Sequence, residues 1–267
     1  MTDWFEPFTR LTPPTDDIMW TRCRVGHTEH GTTLAGVALG WPMVAMKVYH
    51  WRDYGGPDLD RWPDYCPAQD IVSRSIDQTG LWEPYESALV VDILTPGDGV
   101  GVVLDFGCQV GWYTALATHL GYEVAAIDVN TENLALTHSN ALGPFADVYL
   151  GVVDEHAPLL DPEMLVRVAK IDIEGAEQWA IRMLSPTLQA RNVAYLLMEV
   201  SPVFNDTYPD LVEQVCGYGY DTFVIPHTAP RVDNPLETLM KYPLVAEDRR
   251  GMVAAMHQEN LLFARKP

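Results

Sequence analysis

The sequence predicts an α/β chain built on a doubly wound, mostly parallel sheet. Three observations carry this. The apolar run Gly101–Leu104 ends in Asp105, turns at Gly107 and enters a helical pattern from Trp112 to Leu120. A second apolar run, Tyr122–Ile127, ends in Asp128, 23 residues after Asp105. A third, Val166–Ile171, ends in Asp172 and leads into a helix beginning near Ala176. Strand, tight turn and helix in repetition describe a sheet whose ligands gather at the carboxyl ends of its strands.

Length and composition set the bounds. A chain of 267 residues holds one large α/β domain and a smaller addition. Hydrophobic residues make up 48% and mean hydropathy is -0.05, values expected of a soluble globular protein. No apolar run approaches the length of a membrane span. Met1-Thr2-Asp3-Trp4 lacks the basic segment and apolar core of a secretory signal. Cys23, Cys66, Cys108 and Cys216 show no paired spacing, so free thiols in a reducing cytoplasm are expected.

The net charge is -20 and is unevenly spread. From Ser75 to Val166 there is no Lys or Arg, against fourteen Asp and Glu. That half contains the Gly107 turn. A surface without cations holds phosphates poorly, which argues against a phosphorylated cofactor and against tight non-specific nucleic-acid binding there. The acidity itself is equally explained by solubility.

Residues 1–67 are rich in Trp and Pro and are expected to lie outside the sheet, as an N-terminal extension or cap over the domain formed by 68–267. Within them, Val37–Tyr49 suggests two short strands around a turn at Gly40–Pro42, and Asp53–Asp58 a loop. His27-Thr28-Glu29-His30 sits between Gly26 and Gly31. It reads as an exposed turn, because no second cluster completes a metal site; no metal is expected.

Further along, Pro84–Leu94 reads as a helix with proline in its first turn, stopped by Thr95–Gly99. Asp147–Asp154 is a third strand and Val193–Val200 a fifth, ending in Glu199. Asp210–Cys216 is a helix closed by Gly217 or Gly219. Tyr220–Ile225 and Asn260–Arg265 are the last strands. Residues 226–259 are too long for a bare loop and should carry function or helix. They contain His227, Arg231, Arg249, Arg250 and His257.

Glycine spacing then selects the ligand. A dinucleotide fingerprint starting at Gly107 requires glycine where Gln109 and Trp112 stand, and no Lys-Ser/Thr pair marks a phosphate loop. A dehydrogenase is therefore disfavoured. The stretch Asp105-Phe106-Gly107-Cys108-Gln109-Val110-Gly111 reads acid-x-Gly-x-x-x-Gly. It resembles the first motif of class I S-adenosylmethionine (SAM) methyltransferases. SAM has no pyrophosphate, and a carboxylate beside the turn suits its sulfonium and ammonium charges. Asp128, at the tip of the second strand, can accept bonds from both ribose hydroxyls. Thr131 is available to cap the next helix and frees Asp128 from that task. Val153 and Asp154, ending the third strand, would lie near an adenine.

The stretch Lys170-Ile171-Asp172-Ile173-Glu174-Gly175-Ala176-Glu177 resembles the signature of the FkbM-type family of SAM-dependent methyltransferases. Asp105 to Thr114 is similar to that family's first motif, with Cys108 and Gln109 standing where Ala and Asn are usual. Gly80-Leu81-Trp82-Glu83 and Tyr195–Val200 also look familial. The resemblance covers roughly residues 68 to 267. It implies a Rossmann-like, seven-stranded, mostly parallel sheet in the order 3-2-1-4-5-7-6. It also implies SAM contacts at Glu83, Asp105, Gly107, Cys108, Gln109, Gly111, Asp128, Val129, Val153 and Asp154. Methyl transfer to oxygen follows, commonly on polyketides, sugars or glycolipids.

A hydroxyl acceptor needs a base, because a neutral alcohol is a poor nucleophile. Asp172 and Glu174 are the catalytic candidates, with Glu199 and His227 behind them. A divalent metal at Asp172 would be the other way to lower the acceptor's pKa. Base-specific nucleic-acid methyltransferases are disfavoured, since neither an Asn/Asp-Pro-Pro-aromatic motif nor a Pro-Cys nucleophile follows the fourth strand. The alternatives are a SAM-binding protein without turnover, or a methyltransferase acting on a nucleic-acid or other macromolecular acceptor. The acceptor's identity and the oligomeric state are not encoded in these motifs.

Overall fold

In this computed structural model the described residues are 9–10, 25–28, 46–49, 71–79, 81–95, 99–141, 146–201, 206–227 and 234–266. The N-terminal part contributes β1 (Thr9–Arg10), β2 (Val25–Thr28) and β3 (Met46–Tyr49), then α1 (Ile71–Thr79) and α2 (Pro84–Leu94). Next come β4 (Val102–Phe106), α3 (Trp112–His119), β5 (Val124–Asp128), α4 (Thr131–Asn140) and β6 (Ala146–Leu150). The chain continues through β7 (Val166–Ile171), α5 (Glu177–Gln189), β8 (Val193–Val200), α6 (Tyr208–Gly217) and β9 (Tyr220–Val224). It ends with α7 (Pro235–Leu239), α8 (Ala246–Ala254) and β10 (Glu259–Arg265).

The main sheet runs β1-β6-β5-β4-β7-β8-β10-β9. Strands β6, β5, β4, β7 and β8 are parallel, and β10 lies antiparallel to both β8 and β9. Without β1 this is the expected order 3-2-1-4-5-7-6. The order reverses at β4, which puts the loop after β4 at a topological switch point, where open α/β sheets bind their ligands.

Each central strand is buried on both faces, which is why it reads as an unbroken apolar run. Val103, Val124, Ala126, Val168, Leu197 and Leu262 point to the core shared with α2 and α3. Leu104, Phe106, Ala169, Ile171, Met198 and Phe263 point to the core shared with α5 and α6. Helix α2 buries nearly its whole circumference, including Glu86 and Ser87, so its polar residues must find partners inside the protein.

The extension does not lie wholly outside the sheet. Thr9 and Arg10 pair antiparallel with Leu150 and Tyr149. That covers the backbone groups β6 would otherwise present as an edge. Strand β3 takes β2 as its partner, from Val25↔Tyr49 to Thr28↔Met46. His27 and Thr28 thus belong to a strand rather than to an exposed turn. Glu29, His30, residues 37–45 and the 53–58 loop lie outside the described residues. Strand β3 runs against α1 and α4.

Other boundaries shift for local reasons. Strand β6 stops at Leu150, where the Gly151 N–H turns to the Asp128 carbonyl at 3.1 Å. The N-cap of α4 is Asn130, whose side chain accepts from the Glu132 N–H at 2.8 Å, and not Thr131. The long segment before β10 carries α7 and α8. Arg249 donates two 2.8 Å bonds to Glu213, and Arg250 donates to Asp210 at 2.5 Å. These arginines staple α8 to α6. Among the described residues no helix is long and apolar enough to cross a membrane.

Candidate active site

The loop after β4 is pinned on three sides. The N–H groups of Gly107 and Cys108 donate to the Ile127 carbonyl, at 2.8 and 3.2 Å, drawing the loop over the tip of β5. Gly107 has φ +78, and a Cβ there would stand 1.9 Å from the Asp172 carbonyl oxygen. Only glycine passes between β5 and the end of β7. Gly111, also at φ +78, abuts α4: a Cβ would meet the Thr137 Cα at 2.8 Å. Thr137 and Asn140 then hold the loop from α4. The Thr137 hydroxyl donates to the Gln109 carbonyl at 2.9 Å, and the Asn140 amide to the Val110 carbonyl at 2.7 Å.

Cys108 and Gln109 are both accommodated locally. The Cys108 thiol is buried 3.4 Å from the Thr137 hydroxyl, and burial pushes its pKa well up, so it is an inert thiol. Gln109 folds its side chain back to accept from the Val110 N–H at 2.6 Å, on a backbone at φ +50.

The acids at the strand tips divide their tasks. Asp105 is buried and accepts from the Thr114 N–H at 3.1 Å and the Thr114 hydroxyl at 2.6 Å, which fastens the first turn of α3 to β4. Burial raises its pKa to about 6, while the Thr114 bonds and Lys170 oppose that rise. Asp128 bridges loop and helix. It accepts from the Gln109 N–H at 2.9 Å and the Asn130 N–H at 2.8 Å, with the Asn133 amide at 3.3 Å from both oxygens. Burial raises its pKa against those bonds. Val129 is open to solvent, Val153 packs in the core beside Leu160 and Met164, and Asp154 closes its own turn onto the His156 N–H at 2.8 Å. Gly107, Cys108, Gln109, Gly111 and Asp128 therefore form one unit, with Asp105 beneath it. Val153 faces inward and Asp154 holds a turn.

A second polar group lies on the α2/α3 face of the sheet. Strand pairing sets Asp105 beside Lys170, Lys170 beside Leu197, and, two residues on, Glu199 beside Asn260. Period-two alternation keeps these side chains on one face. The buried Lys170 ammonium donates to Asp172 at 3.0 Å, lies 3.6 Å from Glu83 and sits 5.4 Å from the Tyr113 ring centroid. Burial opposes its charge, but Asp172 and Glu83, with Glu199 behind them, outweigh it and hold the proton more firmly than in an ordinary lysine. Glu83, on a backbone at φ +40, accepts from the Tyr113 hydroxyl at 2.5 Å and from the Asn260 amide at 3.2 Å. The same Asn260 amide donates to Glu86 at 3.0 Å. Glu199 accepts from Gln258 at 2.8 Å. Burial, then the neighbouring Glu83, raises the pKa of Glu86 to about 7. Burial, then Asp172, raises that of Glu199 to about 8.

The two predicted catalytic acids sit at the end of β7. Asp172 is tied to Lys170. Glu174 is exposed at φ +54, with its pKa raised by partial burial and by Asp172 and Glu177. Behind them, Glu177 accepts from the Ile173 N–H at 3.3 Å, the Gly175 N–H at 3.1 Å and the Tyr208 hydroxyl at 2.5 Å. Glu83, Gln109 and Glu174 are non-glycine residues at positive φ along one edge of the sheet. Such strain gathers where a binding site over-determines the backbone. His227 is exposed and pairs with Glu259 at 2.8 Å. Among the described residues no group of His, Cys, Asp and Glu is arranged to hold a metal ion. Sequence reasoning gave no role to Glu86, Tyr113, Lys170, Glu177 or Asn260. Lys170, a cation in the apolar second half of a central strand, was the one with a visible signal.

No protein-family model and no curated protein matches the chain. Solved structures similar to it include a TehB-like SAM-dependent methyltransferase from Corynebacterium glutamicum, 15% identical over 81% of this chain and 98% of that one, with a TM-score of 0.43. Magnesium protoporphyrin IX methyltransferase from Synechocystis with bound SAM is 14% identical over 80% and 95%, with a TM-score of 0.42. An rRNA methylase from Streptococcus thermophilus is 14% identical over 66% and 93%, also at 0.42. The fold rests on the strand order itself, which is that of the class I methyltransferases.

Proposed function

We propose that the chain is a SAM-dependent methyltransferase acting on a hydroxyl oxygen of a small molecule or sugar. The observation that carries this is the Asp128–Gln109 bond. It locks an acid at the second strand tip to a loop that passes two glycines between neighbouring elements. The residues present fit the cofactor. Asp128 can turn to ribose hydroxyls by giving up its two long Asn133 contacts. The loop's lack of cations suits a ligand without phosphates. Bound SAM supplies a methyl group activated on a cationic sulfur.

The rest is positioning by the chain's own groups. Asp172, held through one oxygen by Lys170, has its second oxygen available to orient an acceptor hydroxyl. Glu174, beside it with a raised pKa, is placed to take the proton. The cation-free stretch from Ser75 to Val166 speaks for a small acceptor over nucleic acid. Calorimetric titration with SAM, S-adenosylhomocysteine (SAH) and NAD tests the reading. SAM and SAH should bind and NAD should not. Asp128→Ala should weaken SAM by about 100-fold, the loss of two charge-assisted hydrogen bonds. Absence of SAM binding to the unaltered protein would overturn it.

A further inference from the structure

Apart from Asp105, which is bonded to Thr114, the α2/α3 face carries among the described residues the carboxylates of Glu83, Glu86, Asp172 and Glu199 around the ammonium of Lys170. Lys170 is committed to Asp172 and, more distantly, to Glu83. Glu86 and Glu199 have no cation within salt-bridge reach among the described residues. A second observation points to a missing ligand. Asn260 is 9% exposed, its amide nitrogen donates to Glu83 and Glu86, and its strand partner is Glu199, yet among the described residues its side-chain oxygen has no hydrogen-bond partner. A buried acceptor left without a donor is costly, and native proteins rarely leave one. The amide nitrogen ties Asn260 to Glu83 and Glu86, and strand pairing sets the residue beside Glu199. What the group lacks is therefore a positive charge that also carries N–H donors.

We propose that Glu83, Glu86, Glu199 and Asn260 form a subsite for an organic ammonium group. It deepens the methyltransferase reading, since the ammonium belongs either to the amino-acid part of the cofactor or to the acceptor. The groups facing the subsite are Glu83 just before α2, Glu86 from α2, Tyr113 from α3, Lys170 from β7, Asp172 and Glu174 beyond it, Glu199 from β8, Gln258 just before β10 and Asn260 within it. A metal ion would need three or more ligands converging, which the described residues do not offer. An ammonium needs only acceptors, and Asn260 supplies a free one. Its arrival favours the ionised carboxylates, so binding expels the proton that Glu199, with a share from Glu86, holds at neutral pH.

The experiment is calorimetric titration of the full chain at pH 7 in two buffers of different ionisation enthalpy, which reads proton release directly. One arm adds SAM or SAH. The other adds ethanolamine, with ethylene glycol as its uncharged match, to SAH-saturated protein at fixed ionic strength. Release of about one proton with the cofactor supports the subsite and assigns it to the cofactor's ammonium. Release with ethanolamine alone, ethylene glycol being silent, supports it and assigns it to the acceptor. Glu199→Gln keeps an oxygen for Gln258 and should cut the release at least in half. Cofactor binding without proton release, together with a silent ethanolamine arm, overturns the proposal. So does release unchanged in Glu199→Gln. If the cofactor does not bind at all, the methyltransferase reading fails instead, and ethanolamine added to ligand-free protein still decides the subsite.

Discussion

Gly107 and Asp172 meet through their backbones: a Cβ on Gly107 would lie 1.9 Å from the Asp172 carbonyl oxygen. The Asp172 N–H also donates to the Phe106 carbonyl at 3.1 Å. The loop after β4 and the loop after β7 are thus one structural unit, although 65 residues separate them. The two loops therefore cannot move independently.

Gly107→Ala should therefore be severe. It forces an L-residue to positive φ and drives a methyl group into backbone that cannot yield. The expected loss is about 3 kcal/mol or more, or failure to fold. Gly121→Ala is the control. Gly121 has φ +84 with nothing within 4 Å of a Cβ, so only the backbone term applies, about 1 kcal/mol. Chemical denaturation of both variants checks the difference. Equal losses would show that the 107–172 contact does not constrain the fold.

Lys170 and Asp172 should be coupled. Asp172→Asn leaves a buried ammonium with weaker partners, and Lys170→Met leaves buried carboxylates without their cation. Each should cost about 3 kcal/mol. The double variant removes both charges and should cost less than the sum, by about 1–3 kcal/mol. A double-mutant cycle in urea measures this. Strict additivity would mean that the 3.0 Å pair contributes little beyond its separate members.

How much of this was legible in the sequence depends on the distance over which each contact acts. Strands β4, β5, β7 and β8 are continuous apolar runs ending in acids, and their pattern is complete within a dozen residues. The places of Asp128 at a strand tip and of Gly107 in the turn after β4 were readable for the same reason. The role of Asn260 was not, because its partners Glu83 and Glu86 lie 177 and 174 residues away and only the β8–β10 pairing brings them together. Thr9–Arg10 is too short to show alternation and is specified by the open edge of β6. Val153 shows the converse: the apolar pattern carries the third strand on through Asp154, but the strand ends at Leu150 and the valine turns into the core.

Stability should fall as pH rises through the neutral range. Burial holds Asp105, Glu86 and Glu199 at folded pKa values of about 6, 7 and 8, above the ordinary carboxyl values of 3.8, 4.5 and 4.5 that apply to the unfolded chain. The folded state therefore binds protons more tightly. This contribution is fully present below about pH 4, is lost as pH passes through the folded values, and is gone above about pH 8. Glu199→Gln removes the highest of these transitions. Between pH 5 and pH 8 the wild type should lose about 2 kcal/mol more than the variant. Parallel stability curves for the two would contradict the burial of an unpaired Glu199 carboxyl.

Glu177 should control the loop that carries Asp172 and Glu174. One of its oxygens accepts from the Ile173 and Gly175 N–H groups, and the other from Tyr208. Glu174, between those two N–H groups, is held at φ +54, a conformation a non-glycine residue keeps only when its surroundings enforce it. Glu177→Ala removes both backbone anchors and should let Glu174 relax. Its cost should be about 2–3 kcal/mol, with amide exchange at Ile173 and Gly175 faster by more than tenfold. Tyr208→Phe removes only the hydroxyl, costs about 1 kcal/mol, and leaves those amides protected. Hydrogen exchange read at the two amides separates the variants. Fast exchange in both would place the constraint on the loop in the α5–α6 packing around Tyr208 rather than in the Glu177 carboxylate.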